Sequence, residues 1–86
     1  MKCFLYILYS EILNTYYTGI TSNLEIHLLS HNELGNDWTA SGRPWNLLFS
    51  KEFPDRSTAQ KWESWIKKQK SIRMIKKIID GDFDWQ

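Results

Sequence analysis

From Phe4 to Tyr9 the chain carries large side chains on both alternations of a strand: Phe4, Tyr6 and Leu8 on one, Leu5, Ile7 and Tyr9 on the other. A strand of this kind is expected where both faces are covered. Ser10 to Thr15 holds Glu11 and Asn14 and reads as a turn. The aromatic and β-branched run from Tyr16 to Thr21 is expected to return antiparallel as a hairpin. Gly19 interrupts that run, the mark of a bulge or of a close backbone approach.

The period then lengthens. Ser22-Asn23-Leu24-Glu25 reads as a capping box with Ser22 as N-cap, followed by a helix with Leu24, Leu28 and His31 on one stripe and His27 at its edge. That helix is expected to end near Leu34-Gly35, where glycine takes the left-handed cap. Residues 36–44 form a polar loop within which Trp38 needs an apolar anchor, and Trp45 to Phe53 reads as a third strand. After Pro54 and Asp55, Ser57-Thr58-Ala59-Gln60 reads as a second capping box, opening a helix that buries Ala59, Trp62 and Ile66. A break near Ser71 leads to a last helix with Ile72, Ile75 and Ile79 on one face, ended by Gly81. The expected fold is a small α/β single domain over residues 1–86, a three-stranded antiparallel sheet flanked by helices in the order β-β-α-β-α-α. Residues 82–86 form a short C-terminal tail that either folds back as an apolar plug or offers Trp85 to a protein partner.

Size and composition narrow the classes. With 86 residues there is room for one modest core, and 42% hydrophobic residues with 5 Trp, 4 Tyr and 4 Phe mark an ordered chain. The single cysteine, Cys3, excludes an internal disulfide, which fits a cytoplasmic protein, and no stretch is apolar for long enough to span a membrane. The net charge of +1 conceals an asymmetry: Lys61, Lys67, Lys68, Lys70, Arg73, Lys76 and Lys77 stand against Glu63 alone in residues 61–77. Such a stripe either meets phosphate through non-specific attraction or is an ordinary solvated helical face.

Several residues carry candidate chemistry. Glu63 falls within the stripe of Ala59, Trp62 and Ile66, where a carboxylate is costly unless a hydrogen bond, a cation or a metal satisfies it, and Lys67 lies one turn on. His27 and His31 are spaced i,i+4, as paired zinc ligands can be, with Glu63 or Cys3 as further donors. Tyr6 and Tyr17 on paired strands suit either core packing with satisfied hydroxyls or a shared site. Trp65, outside the apolar stripe of its helix, either packs on the final helix or stacks on a base.

Leu5-Tyr6-Ile7, Tyr17-Thr18-Gly19, the helix opening with Asn23-Leu24-Glu25 and ending at His31, the Arg43-Pro44-Trp45 step and the glutamate-bearing helix after it occur in an ordered set. Over nearly its whole length the chain thereby resembles the GIY-YIG nuclease domain family, particularly its small single-domain bacterial members. The resemblance implies a divalent-metal-dependent endonuclease that hydrolyses a DNA phosphodiester bond. Its implied catalytic positions are Tyr6, Tyr17, His27, His31 and Glu63, with Glu63 holding one Mg²⁺ or Mn²⁺ ion and the basic residues of 61–77 on the DNA backbone. Phosphoryl chemistry wants a metal to polarise the group and cations to relieve growing charge.

His27 departs from the pattern, since the family usually places an arginine there, whose planar fork holds a phosphate through two bonds at any physiological pH. Histidine is shorter and mostly neutral above about pH 7. Ile26 and Ile20 also stand where related domains often carry cations. The implied enzyme is therefore weakened at its phosphate clamp, and the alternative is a catalytically inactive nucleic-acid-binding or protein-interaction module of the same fold.

Overall fold

The computed structural model describes residues 2–32 and 41–85, apart from the side chains of 30–32. Its elements are β1 (Cys3–Ser10), β2 (Thr15–Thr21), α1 (Leu24–Asn32), β3 (Trp45–Phe53), α2 (Arg56–Gln69) and α3 (Ile72–Ile79). This is the order β-β-α-β-α-α read from the periodicity. The sheet is antiparallel with strand order β2-β1-β3. The strand that is large on both alternations thus lies at the centre, and Leu5, Tyr6, Ile7 and Leu8 are all buried. The expected end of α1 near Leu34-Gly35 and the anchor of Trp38 lie outside the described residues.

The hairpin turn is held by side chains. Asn14 adopts a left-handed φ of 51° and accepts from the Tyr9 hydroxyl at 2.6 Å. The buried Ser10 hydroxyl accepts from Leu13 N–H at 3.1 Å and donates to the Gly42 carbonyl at 2.7 Å, tying the turn to the segment that enters β3. The Arg43–Pro44 peptide bond just before β3 is cis.

Two of the helix starts differ from the capping boxes expected at Ser22 and Ser57. Asn23, not Ser22, caps α1: its side chain accepts from Ile26 N–H at 3.1 Å, while the Thr21 hydroxyl accepts from Asn23 N–H at 3.1 Å and keeps the entry extended. Asp55, not Ser57, caps α2, accepting from Thr58 N–H at 2.8 Å from an extended backbone. These bonds hold the exposed Asp55 carboxyl below the usual aspartate range. Ser71 caps α3 as the break suggested, accepting from Met74 N–H at 3.2 Å. At its far end Gly81 N–H bonds to Ile78 O and Asp82 N–H to Lys77 O, a Schellman closure that requires the φ of +84° at Gly81.

The two faces of the sheet pack differently. Cys3, Leu5 and Ile7 from β1 meet Phe53, Ala59, Ile66 and Ile78 in the main core. Each of the fully buried aliphatics there contributes about 1.5–3 kcal/mol of burial. Tyr6 and Leu8 face the other way, toward Trp45, Tyr17, Leu24 and Leu28. On α3 the expected stripe of Ile72, Ile75 and Ile79 is rotated. Ile78 is the buried residue, with Met74, Ile75 and Ile79 packed around it, whereas Ile72 is 59% exposed at the α2–α3 corner. The tail folds back onto the main core: the Trp85 ring stacks on Phe49 at 5.8 Å and meets Trp62 edge-on at 5.1 Å. Trp65, partly exposed, packs edge-on against Trp62 at 5.9 Å and lies 5.6 Å from Phe83.

A register shift governs which face each β3 residue joins. Phe49 pairs with Ile7 but Leu47 pairs with Leu8, so one extra residue is accommodated between them. Strict alternation would put Trp45, Leu47, Phe49 and Phe53 on one side. The bulge reverses the pleat, leaving Phe49 and Phe53 with the main core and sending Trp45 to the tyrosines.

Candidate functional site

Three of the five predicted catalytic positions form a ring cluster on the α1 side of the sheet. Tyr6 stands at the centre of β1, with its ring centroid 6.3 Å from that of Tyr17 and 5.5 Å from that of His27. Tyr17 comes from β2, opposite Leu8 in register, and His27 from the first turn of α1, whose start Asn23 sets. Trp45, delivered by the bulge, closes the cluster at 6.2 Å from Tyr17.

Gly19 is what makes room for Tyr6. It lies directly across the ladder from Tyr6, and a β-carbon there would stand 2.5 Å from the tyrosine hydroxyl and 2.7 Å from the ring carbon bearing it. The interruption noted in the second strand is therefore a close approach and not a bulge. Tyr6 is only 2% exposed, so its ring has little freedom to yield.

Glu63 reaches the same neighbourhood from α2. The Tyr6 phenol is pushed well above the ordinary tyrosine range, first by burial, then by Tyr17 and by the charge of Glu63. Its hydroxyl therefore holds its proton further into alkaline pH than an exposed tyrosine does. The Glu63 carboxylate, 18% exposed, is paired with Lys67 at 3.3 Å, the local partner one helical turn on. The Lys67 ammonium also lies 5.7 Å from the centre of the Tyr17 ring, within cation–π range. A carboxylate in the apolar stripe of α2 is thus satisfied by a cation that stands over the site.

The remaining candidates are dispersed. The helix carrying His31 is described, but its side chain lies outside the described residues. Cys3 is buried in the main core, on the opposite alternation of β1 from Tyr6, so it is not a further ligand for a zinc site with His27. Among the described residues no group of three or more His, Cys, Asp or Glu side chains is placed to hold a metal ion. The basic stripe divides: Lys67 and Lys70 border a cavity that also contains Tyr17, whereas Lys61 borders a separate one beside Trp62 and Trp65. Among the described residues no helix is long and apolar enough to cross a membrane.

Trp45 and Lys67 are the members of the cluster that sequence reasoning did not assign to it. No local signal marks Trp45, because its face depends on the bulge. Lys67 carried a signal in its i,i+4 spacing from Glu63, which predicts the pair but not its position over Tyr17.

The model of the GIY-YIG catalytic domain matches residues 2–76. A UPF0213 protein of Staphylococcus haemolyticus is 35% identical over 66 residues, covering 72% of this chain and 80% of that protein. UPF0213 proteins of two strains of Xanthomonas campestris pv. campestris are each 36% identical over 62 residues, or 71% of this chain. The matched region spans 61% of the length of those Xanthomonas relatives. The solution NMR structure of a UPF0213 protein from Bacillus halodurans is similar over 93% of this chain and 84% of its own, with a TM-score of 0.59 and 26% identity.

Proposed function

We propose, given that this chain belongs to the GIY-YIG family, that it is a nucleic-acid-binding domain that holds a DNA phosphate without cleaving it. The observation that carries this reading is the engagement of Glu63 by Lys67, whose ammonium also stands over the Tyr17 ring. The exposed Lys67 ammonium beside Tyr17 is the cation that meets a phosphate oxygen, in a site where the shorter His27 stands in place of a planar two-pronged donor. Tyr17 and Trp45 wall the site with aromatic surface suited to a sugar or base.

On this reading Glu63, engaged by Lys67, holds no resident Mg²⁺ or Mn²⁺. Mg²⁺ is held by one or two carboxylates together with waters and substrate phosphates. Among the described residues Glu63 is the carboxylate beside the tyrosines, and it is engaged by Lys67.

The test puts binding and cleavage in one tube. Fluorescence anisotropy with branched, flapped, single-stranded and duplex DNA is expected to give salt-sensitive association, weakened about five-fold or more by Lys67→Ala. The DNA is expected to remain intact on gels with Mg²⁺ or Mn²⁺. Metal-dependent product that Glu63→Ala abolishes in a folded protein overturns this reading in favour of an endonuclease, and absence of association with every DNA overturns it in favour of a protein-interaction module.

A further inference from the structure

A groove of about 570 Å³ runs between the exposed side of β2 and the turn joining α2 to α3, leading away from the tyrosine site. Tyr17 and Lys67 line both places, so the two are continuous. Ile66, Ile75 and Tyr16 give the groove apolar walls, Lys70 stands at its rim, and among the described residues no acidic one lines it. Its volume is in the range of sites that take small organic groups.

Two exposed residues of the groove depart from what their positions favour. Ile72 borders it at 59% exposure, although its position in the sequence marks it for burial. Lys70 ends α2 in a left-handed conformation, φ 47°, on an exposed turn, where a glycine would be the easier residue. An apolar surface left open beside Lys70 and the Lys67–Glu63 pair, with no carboxylate among the described lining residues, complements an anion joined to a flat or apolar body. A nucleotide has that chemistry.

We propose that this groove holds the nucleotide unit next to the one whose phosphate sits at Tyr17 and Lys67, with its own phosphate on Lys70 and its sugar and base over Ile72 and Tyr16. The inference rests on the nucleic-acid-binding reading and extends it by giving the strand a direction, along β2 toward the α2–α3 turn. It also makes the ligand single-stranded at this point, because a base lying over Ile72 is out of its stack.

The experiment follows backbone amide resonances of the full chain during titration with the 5′-phosphorylated thymidine dinucleotide. The wild type is expected to show shifts at Tyr6 and Gly19 and also at Tyr16, Ile72 and Ile75. Lys70→Gln keeps a non-glycine residue at φ 47°, so its fold is checked by circular dichroism and expected unchanged. It is expected to lose the shifts at Ile72 and Ile75, keep those at Gly19, and bind about three- to ten-fold more weakly. With an oligothymidine, the same variant is expected to reduce the slope of log affinity against log salt by about 0.7, the value for one lost phosphate contact on a single strand.

Shifts at Tyr6 and Gly19 without any at Ile72 or Ile75 overturn the groove and leave the phosphate site standing. Shifts at Ile72 without any at Gly19 overturn the phosphate site and, with it, the placement of adjacent nucleotides. Thymidine monophosphate or inorganic phosphate binding the groove as tightly as the dinucleotide overturns the strand as its occupant.

Discussion

The two faces of the central strand set a closed core against an open one. On the odd-numbered face of β1, Cys3, Leu5 and Ile7 are covered by α2, α3 and the returning tail, and every aromatic ring of the tail has a partner ring. On the even-numbered face, Tyr6 and Leu8 meet a smaller set dominated by Tyr17, His27 and Trp45, with Lys67 standing over the Tyr17 ring and paired with Glu63. One strand thus supplies stability on one side and chemistry on the other. The contrast teaches that the site is held from behind. The rings of the cluster can keep polar edges toward a ligand because Leu5 and Ile7, alternating with Tyr6, anchor the same backbone in a closed core.

Three substitutions break this contrast, in decreasing order of effect. Ile7→Ala removes a fully buried side chain from the closed face and is expected to cost about 2–5 kcal/mol in urea unfolding. DNA affinity of the folded protein is expected to be unchanged, and a large loss of affinity with little loss of stability would reverse the assignment of the faces. Gly19→Ala places a methyl group against the Tyr6 phenol and is expected to cost about 1–3 kcal/mol by overpacking. Unlike the core deletion, it is expected to displace the Tyr6 and His27 rings and weaken binding, which ring-proton shifts would report.

The smallest effect is confined to alkaline pH. The folded chain retains the Tyr6 proton above the ordinary tyrosine value of 10.0, so between that value and the higher folded one the native state binds more protons than the unfolded state. The contribution is complete below pH 10 and is lost as pH rises beyond it. Tyr6→Phe is expected to flatten the fall in unfolding free energy above pH 10, and parallel curves for the two proteins would remove the buried phenol from the account.

Much of the fold was legible because it follows from local spacing. The double alternation of Phe4 to Tyr9 identified a covered strand, and Trp45 to Phe53 was found with the bounds the structure has. The stop at Gly81 and the start at Ser71 were equally local, since each depends on one residue's backbone freedom or one hydroxyl. The other two caps were missed by one or two positions, where Asn23 and Asp55 are the acceptors in place of nearby serines. For the site, the pattern of Tyr6, Tyr17 and His27 led to residues that the structure brings within contact of one another. The spacing of Glu63 and Lys67 suggested the pair, and the altered packing of α3 accounts for the misplacement of Ile72.

By itself the sequence determined the kind and order of the elements and the interruption of the second strand at Gly19. Those features rest on the periods of helix and strand and on groups a few residues apart. The tertiary structure alone decided that a bulge turns Trp45 toward the tyrosines, that Lys67 covers both Glu63 and Tyr17, and that Ile72 stays open beside a cationic groove. Alternation fixes which face of its own element a residue occupies. Which faces then meet depends on strand register and helix placement, set by contacts between distant parts of the chain.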